Sequence, residues 1–147
     1  MVSTRIAAVM VLAAAALAAC VSAPPPLPDD DLVGTSWRFV ELYGAPVTTP
    51  SSPEAREAEL SFGNHGHLFG SDGCSRMLGS YKLDKDQITL REMAGMQMAC
   101  LSTQESTRRL NEALKDAEHG SIEGTLLTLY NASGQTLAIL ERMPPRT

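Results

Sequence analysis

Three cysteines constrain this chain more than any other feature. Cys74 and Cys100 bound the run CSRMLGSYKLDKDQITLREMAGMQMAC, and Cys20 ends a short apolar leader, where a different chemistry claims it. The two thiols left in an exported domain are expected to pair, because export favours oxidation. In the chain-entropy picture a bridge closing a loop of this length stabilises by about 3 to 4 kcal/mol. That is a large share of the roughly 5 to 15 kcal/mol by which a domain stays folded. The alternative is two free thiols buried as small hydrophobes.

The leader has three parts. Arg5 gives it a positive start, Ile6 to Leu17 an apolar middle, and Leu17-Ala18-Ala19 the small residues that a signal peptidase reads. Residues 6–19 fall short of the roughly 20 apolar residues that span a bilayer, so residues 1–19 are expected to be removed as a signal peptide. Leu17-Ala18-Ala19-Cys20 matches the lipobox of bacterial lipoproteins, in which the cysteine thiol is joined to diacylglycerol and becomes the acylated first residue. Several acyl chains of the palmitate type hold far better than one, so Cys20 is the expected membrane anchor. Val21 follows it where an aspartate would retain the protein, which points to the outer membrane, facing the periplasm in a Gram-negative host.

Composition narrows the partners. At 147 residues, with 44% hydrophobic and 5% aromatic residues, the chain suits one modest core. Its formal charge is −5, and loss of Arg5 with the leader makes the mature chain more negative still. That balance argues against nucleic acid and against a polybasic grip on anionic lipid. Residues 20–33 combine a proline run with Asp29-Asp30-Asp31 and read as an extended, hydrated tether that does not pack. Residues 34–143 form the domain, and 144–147 a tail.

Within the domain the apolar spacing favours strands. Thr35 to Tyr43 alternates Trp37 and Phe39 with Arg38, Val40 and Leu42, and Trp37, the only tryptophan, is expected in the core. Ala45 to Glu57 reads as a surface loop with a helical turn at Pro53 to Arg56. Glu59 to Phe62 and His67 to Gly70 flank Gly63-Asn64-His65-Gly66, whose glycines and asparagine accept positive φ. Ser80 to Leu83 and Gln87 to Arg91 flank a second turn. Ser102 and Glu105 fit a capping box, opening a helix with Leu110, Ala113, Leu114 and Ala117 on one face and Gly120 as its stop. Ser121 to Glu123, Leu126 to Tyr130 and Gln135 to Arg142 complete seven or eight strands. The expected class is α+β, a strongly bent antiparallel sheet or partly open barrel with one packed helix.

Several of these residues carry a resemblance. Gly34-Thr35-Ser36-Trp37, Leu60-Ser61-Phe62, Gly73-Cys74-Ser75-Arg76, Gly79-Ser80-Tyr81, Met98-Ala99-Cys100 and Ile122-Glu123-Gly124 follow one another in an order that resembles the META domain, the module of HslJ-like heat-shock lipoproteins. The likeness runs from about residue 34 to 142. It implies the same bent sheet or open barrel, and it associates the chain with heat shock and tolerance of novobiocin-type antibiotics. No cofactor is expected.

Other chemistries are weaker. His65 and His67 sit at metal-ligand spacing, but His119 is remote and solvated turn histidines are the simpler reading. Met93, Met96 and Met98 with Cys100 form a soft-ligand run that Cu(I) accepts, although methionine is also a core filler. No nucleophile elbow, metalloprotease helix or phosphate loop is present, and Ser75 and Ser80 stand nearer the cysteines than any histidine. The expectation is a monomeric, non-catalytic envelope lipoprotein that binds an envelope protein or a small ligand as part of stress tolerance. An exported inhibitor of a host or envelope enzyme is the second reading, with an enzyme or a soft-metal carrier behind it.

Overall fold

The computed structural model describes residues 25, 27–48, 56–95 and 104–146. Among them, strand β1 (Thr35–Leu42) is the hub. It pairs antiparallel with β3 (Ala58–Phe62) on one side and β9 (Thr136–Arg142) on the other, while a two-residue β2 (Ala45–Pro46) folds back on its end. From β3 the sheet continues through β4 (His67–Asp72), β5 (Arg76–Asp84), β6 (Gln87–Gly95), β7 (His119–Glu123) and β8 (Leu126–Tyr130) to β9, which returns to β1. The result is a barrel-like α+β fold, with eight strands in a ring and β2 appended. The contact between β6 and β7 is the thinnest, with Gln87 opposite His119 as its only register pair. The chain between those two strands contains the main helix, α2 (Gln104–Asp116).

Burial follows the alternation that the sequence carries. Ala58, Leu60 and Phe62 of β3 point inward with polar neighbours between them. In β1 the alternation changes phase. Leu140 faces Phe39 but Ile139 faces Glu41, so Val40 is a bulge residue with no opposite partner. That one extra residue turns Leu42 inward along with Trp37 and Phe39, where strict alternation would have put it outside. The helix adds Leu110, Ala113 and Leu114 to the same core, and Ala117 joins it just past the helix end. Each such side chain contributes about 1.5 to 3 kcal/mol when fully buried, somewhat less for alanine.

Several expectations are corrected. The tether packs from Leu27 onward: its N–H bonds to the Lys85 carbonyl at 3.0 Å, Leu27 and Leu32 are buried, and Asp29–Leu32 (α1) form one helical turn. Two apolar residues in an acidic, proline-rich stretch are enough to fasten it. Gly120 is not a helix stop, because α2 ends at Asp116 and Gly120 lies inside β7, where a Cβ would come 2.9 Å from Leu27 Cδ1. A bare glycine there leaves room for the Leu27 side chain. Ala45-Pro46 is a strand rather than loop, and Arg56 is not helical; 49–55 and Ser102 lie outside the described residues. In the β3–β4 turn the positive φ falls on His65 and Gly66, not Asn64. Tyr81 holds that turn by donating to the Gly63 carbonyl at 2.8 Å and meeting Phe62 edge-on. Burial, followed by the Asp29 carboxylate, pushes its phenol above the ordinary tyrosine range.

Candidate functional site

The turn from β4 to β5 carries the domain cysteine. Asp72 Oδ1 accepts the backbone N–H groups of Cys74 at 3.0 Å and Ser75 at 2.6 Å, while Ser71 Oγ accepts that of Gly73 at 3.2 Å. Thr107 on α2 donates to the Asp72 carbonyl at 3.4 Å, so the turn and the helix are tied together. Cys74 is buried and disulfide-bonded. Its expected partner Cys100 lies outside the described residues, as does Cys20. With its amides turned onto a carboxylate and its thiol in a disulfide, this turn is built as a mount.

Beside it, on the outer face of β3, β4 and β5, is a groove of about 540 Å³. Its apolar wall is made by Phe69 and Leu78, which are 47% and 59% exposed. The two face each other across the β4–β5 pairing, so a single patch is formed. Only one other large hydrophobic among the described residues, Leu126, is comparably exposed.

Charge surrounds that patch. Glu59 on β3 is ion-paired with Arg146, and Glu57 lies 3.6 Å from Arg38. Arg38 is also hydrogen-bonded to Glu141, which holds its guanidinium above the ordinary range. Both acids are therefore answered. Arg56 and Arg76, also in the lining, have no carboxylate within 4.0 Å among the described residues. The register places Ser71 between Glu59 and Arg76 on adjacent strands, so the charged rim follows from strand pairing alone. Arg146 reaches it from the far end of the chain: after β9, Met143 N–H bonds to the Ser36 carbonyl, which lays the tail over β1 toward β3.

The comparisons decide the family. A family profile described as META domain matches residues 30–144. The chain belongs to the META domain family. No curated protein matches it. Three solved structures are similar, beginning with an NMR structure of a protein from Burkholderia xenovorans, at 22% identity and a TM-score of 0.63, covering 84% of this chain and 92% of that one. A second NMR structure has 29% identity and a TM-score of 0.59, over 77% and 93% of the two chains. A DUF4847 family protein from Bacteroides vulgatus, at 13% identity and a TM-score of 0.58, covers 81% of this chain and 99% of its own. The first and third speak to the fold alone.

Within this META domain the other candidate residues separate. His65 is in the β3–β4 turn, and His67 on β4 packs its ring 6.4 Å from that of Phe69. His119 is on β7, 3.2 Å from Asp86. Among the described residues no three His, Cys, Asp or Glu side chains converge as metal ligands. Met93 packs half-buried against the core, while Met96 and Met98 lie outside the described residues. A histidine does stand near Ser80, against expectation, since strand pairing puts His67 directly opposite it; no hydrogen bond joins the two. The groove itself was not anticipated. Nothing in the sequence sets Phe69 or Leu78 apart from other apolar residues, and nothing local marks Arg146 as part of a site on β3. No helix among the described residues is long and apolar enough to cross a membrane.

Proposed function

We propose that this META domain is a non-catalytic binding module of an envelope lipoprotein, anchored through Cys20 and serving heat and novobiocin-type stress tolerance. The observation that carries the binding role is the groove, where two arginines without a carboxylate partner among the described residues adjoin two exposed apolar side chains. Pockets of 300 to 1,000 Å³ are typical for small ligands, and this one falls within that range. The state of the candidate nucleophiles favours binding over catalysis, since Cys74 is in a disulfide and Ser80 faces His67 without a hydrogen bond. The lipobox ending at Cys20 supports the anchor, and Cys100 is the partner we assign to Cys74.

Complementation tests the whole reading. In a strain lacking the protein, the wild-type chain should restore growth under heat and novobiocin. Cys20→Ser should leave the membrane fraction or stall in processing, and Leu78→Asp should accumulate at a normal level in the envelope; both should fail to restore growth. Full rescue by Leu78→Asp would remove the groove from the function, and unchanged membrane fractionation of Cys20→Ser would remove the anchor.

A further inference from the structure

We propose that the groove takes a small amphiphilic carboxylate, its anionic end held by Arg56 and Arg76 and its apolar end laid across Phe69 and Leu78. This names the ligand class for the binding role above and rests on that reading. The charge argument is local. The chain as a whole is acidic, yet the groove lining holds Arg56, Arg76 and Arg146 against Glu57 and Glu59. Arg146 is paired with Glu59, and Glu57 lies 3.6 Å from an Arg38 that it shares with Glu141, so Arg56 and Arg76 are the lining guanidiniums with no carboxylate within 4.0 Å among the described residues. A guanidinium offers a planar fork of donors that fits a carboxylate in bidentate fashion. With two glutamates nearby, one negative charge is accommodated better than the two of a phosphate monoester.

Size and topology favour a small occupant. A cleft of about 540 Å³ has the volume usual for a single small molecule. An extended peptide commonly binds by adding to a free strand edge. Here β3, β4 and β5 each have a partner strand on both sides, so the groove has a side-chain surface and no backbone edge. The patch is also one-sided. Phe69 and Leu78 are directly opposed in register, so a ring or short chain lying over both touches two strands while its carboxylate reaches the rim two pairs further along on the same face, at Ser71 and Arg76.

The test uses the full chain in nanodiscs of neutral phosphatidylcholine, with empty discs as blank, titrated with 4-phenylbutyrate and with the uncharged 4-phenylbutyramide and read by ligand-observed NMR. The carboxylate should bind roughly tenfold or more tightly than the amide, as charge-assisted hydrogen bonds dictate. The exposed pair Arg56→Gln and Arg76→Gln together should bring the carboxylate to the amide's level. Leu78→Ser should weaken both ligands by a similar factor, and Leu126→Ser, also exposed but on β8, should change neither. Equal affinity for acid and amide would overturn the anionic class while leaving a binding groove. Loss of binding on Leu126→Ser, or no binding of either probe, would overturn the proposal; in the second case failure of Leu78→Asp to complement would still uphold the binding role. If light scattering shows a dimer that Leu78→Ser dissolves, a second copy of the chain occupies the face and the proposal falls.

Discussion

Trp37 illustrates what single residues do here. Its ring is fully buried, its indole N–H donates to Thr35 Oγ1 at 2.8 Å, and the Arg142 guanidinium lies 4.6 Å from the ring centroid, capping its face. Replacing it empties the largest volume in the core, and Trp37→Ala is expected to cost about 3 to 5 kcal/mol in denaturant unfolding. The same burial sets its emission at short wavelength, resistant to aqueous quenchers; readily quenched, red-shifted emission from folded protein would contradict the placement. That position was legible, because a lone tryptophan on an alternating strand has few places to go. Its polar partners were not, since Arg142 comes from the other end of the chain. At Cys74 the expectation is a bridge to Cys100. Envelope protein alkylated before reduction should show neither thiol, and Cys74→Ala should lose roughly 2 to 5 kcal/mol. Free alkylation of either cysteine in native protein would refute the pairing.

Elements were readable where periodicity was strong, and least so where one residue out of step decides the geometry. The stripe Leu110, Ala113, Leu114 announced α2 because helical spacing leaves few alternatives. The bulge at Val40 could not be seen, since its only trace in sequence is an alternation that runs through Leu42 with the wrong phase. Glycines inside strands were similarly opaque, and they separate into two kinds. At Gly70 a Cβ would come 2.4 Å from the Glu59 backbone carbonyl, which cannot move without parting β3 from β4. At Gly120 the obstacle is the tip of Leu27, a flexible side chain. Gly70→Ala should therefore be the more destabilising, by about 3 kcal/mol or more, while Gly120→Ala should fall near 1 kcal/mol. The second change should speed amide exchange at Leu27, whose N–H bonds to Lys85, beyond its effect on the core. Equal costs for the two substitutions would mean that the strands relax around Gly70 more easily than their pairing indicates.

At the scale of the whole molecule, the packed start of the domain fixes which end meets the membrane if Cys20 is the anchor. The composition of residues 20–33 predicts an extended tether that does not pack. With Leu27 fastened beside Lys85, only Val21 to Pro26 remain, about 20 Å of chain at full stretch. The end of the barrel carrying the β5–β6 turn is thus held toward the lipid. Strand β5 runs from Arg76 at the groove to Asp84 at that turn, so with ordinary strand tilt the groove stands about 20 Å further out along the barrel. The groove then opens toward the aqueous compartment, as a site for a dissolved ligand needs. Energy transfer to headgroup-labelled lipid in proteoliposomes measures this directly: a fluorophore at Lys85→Cys should transfer more efficiently than one at Leu78→Cys. Inserting a flexible Gly/Ser linker between Val21 and Leu27 should shrink the difference, because the shortness of the tether, rather than affinity of the barrel for lipid, is what orients it. Equal transfer from both positions in the unaltered chain would show that the domain is not held end-on.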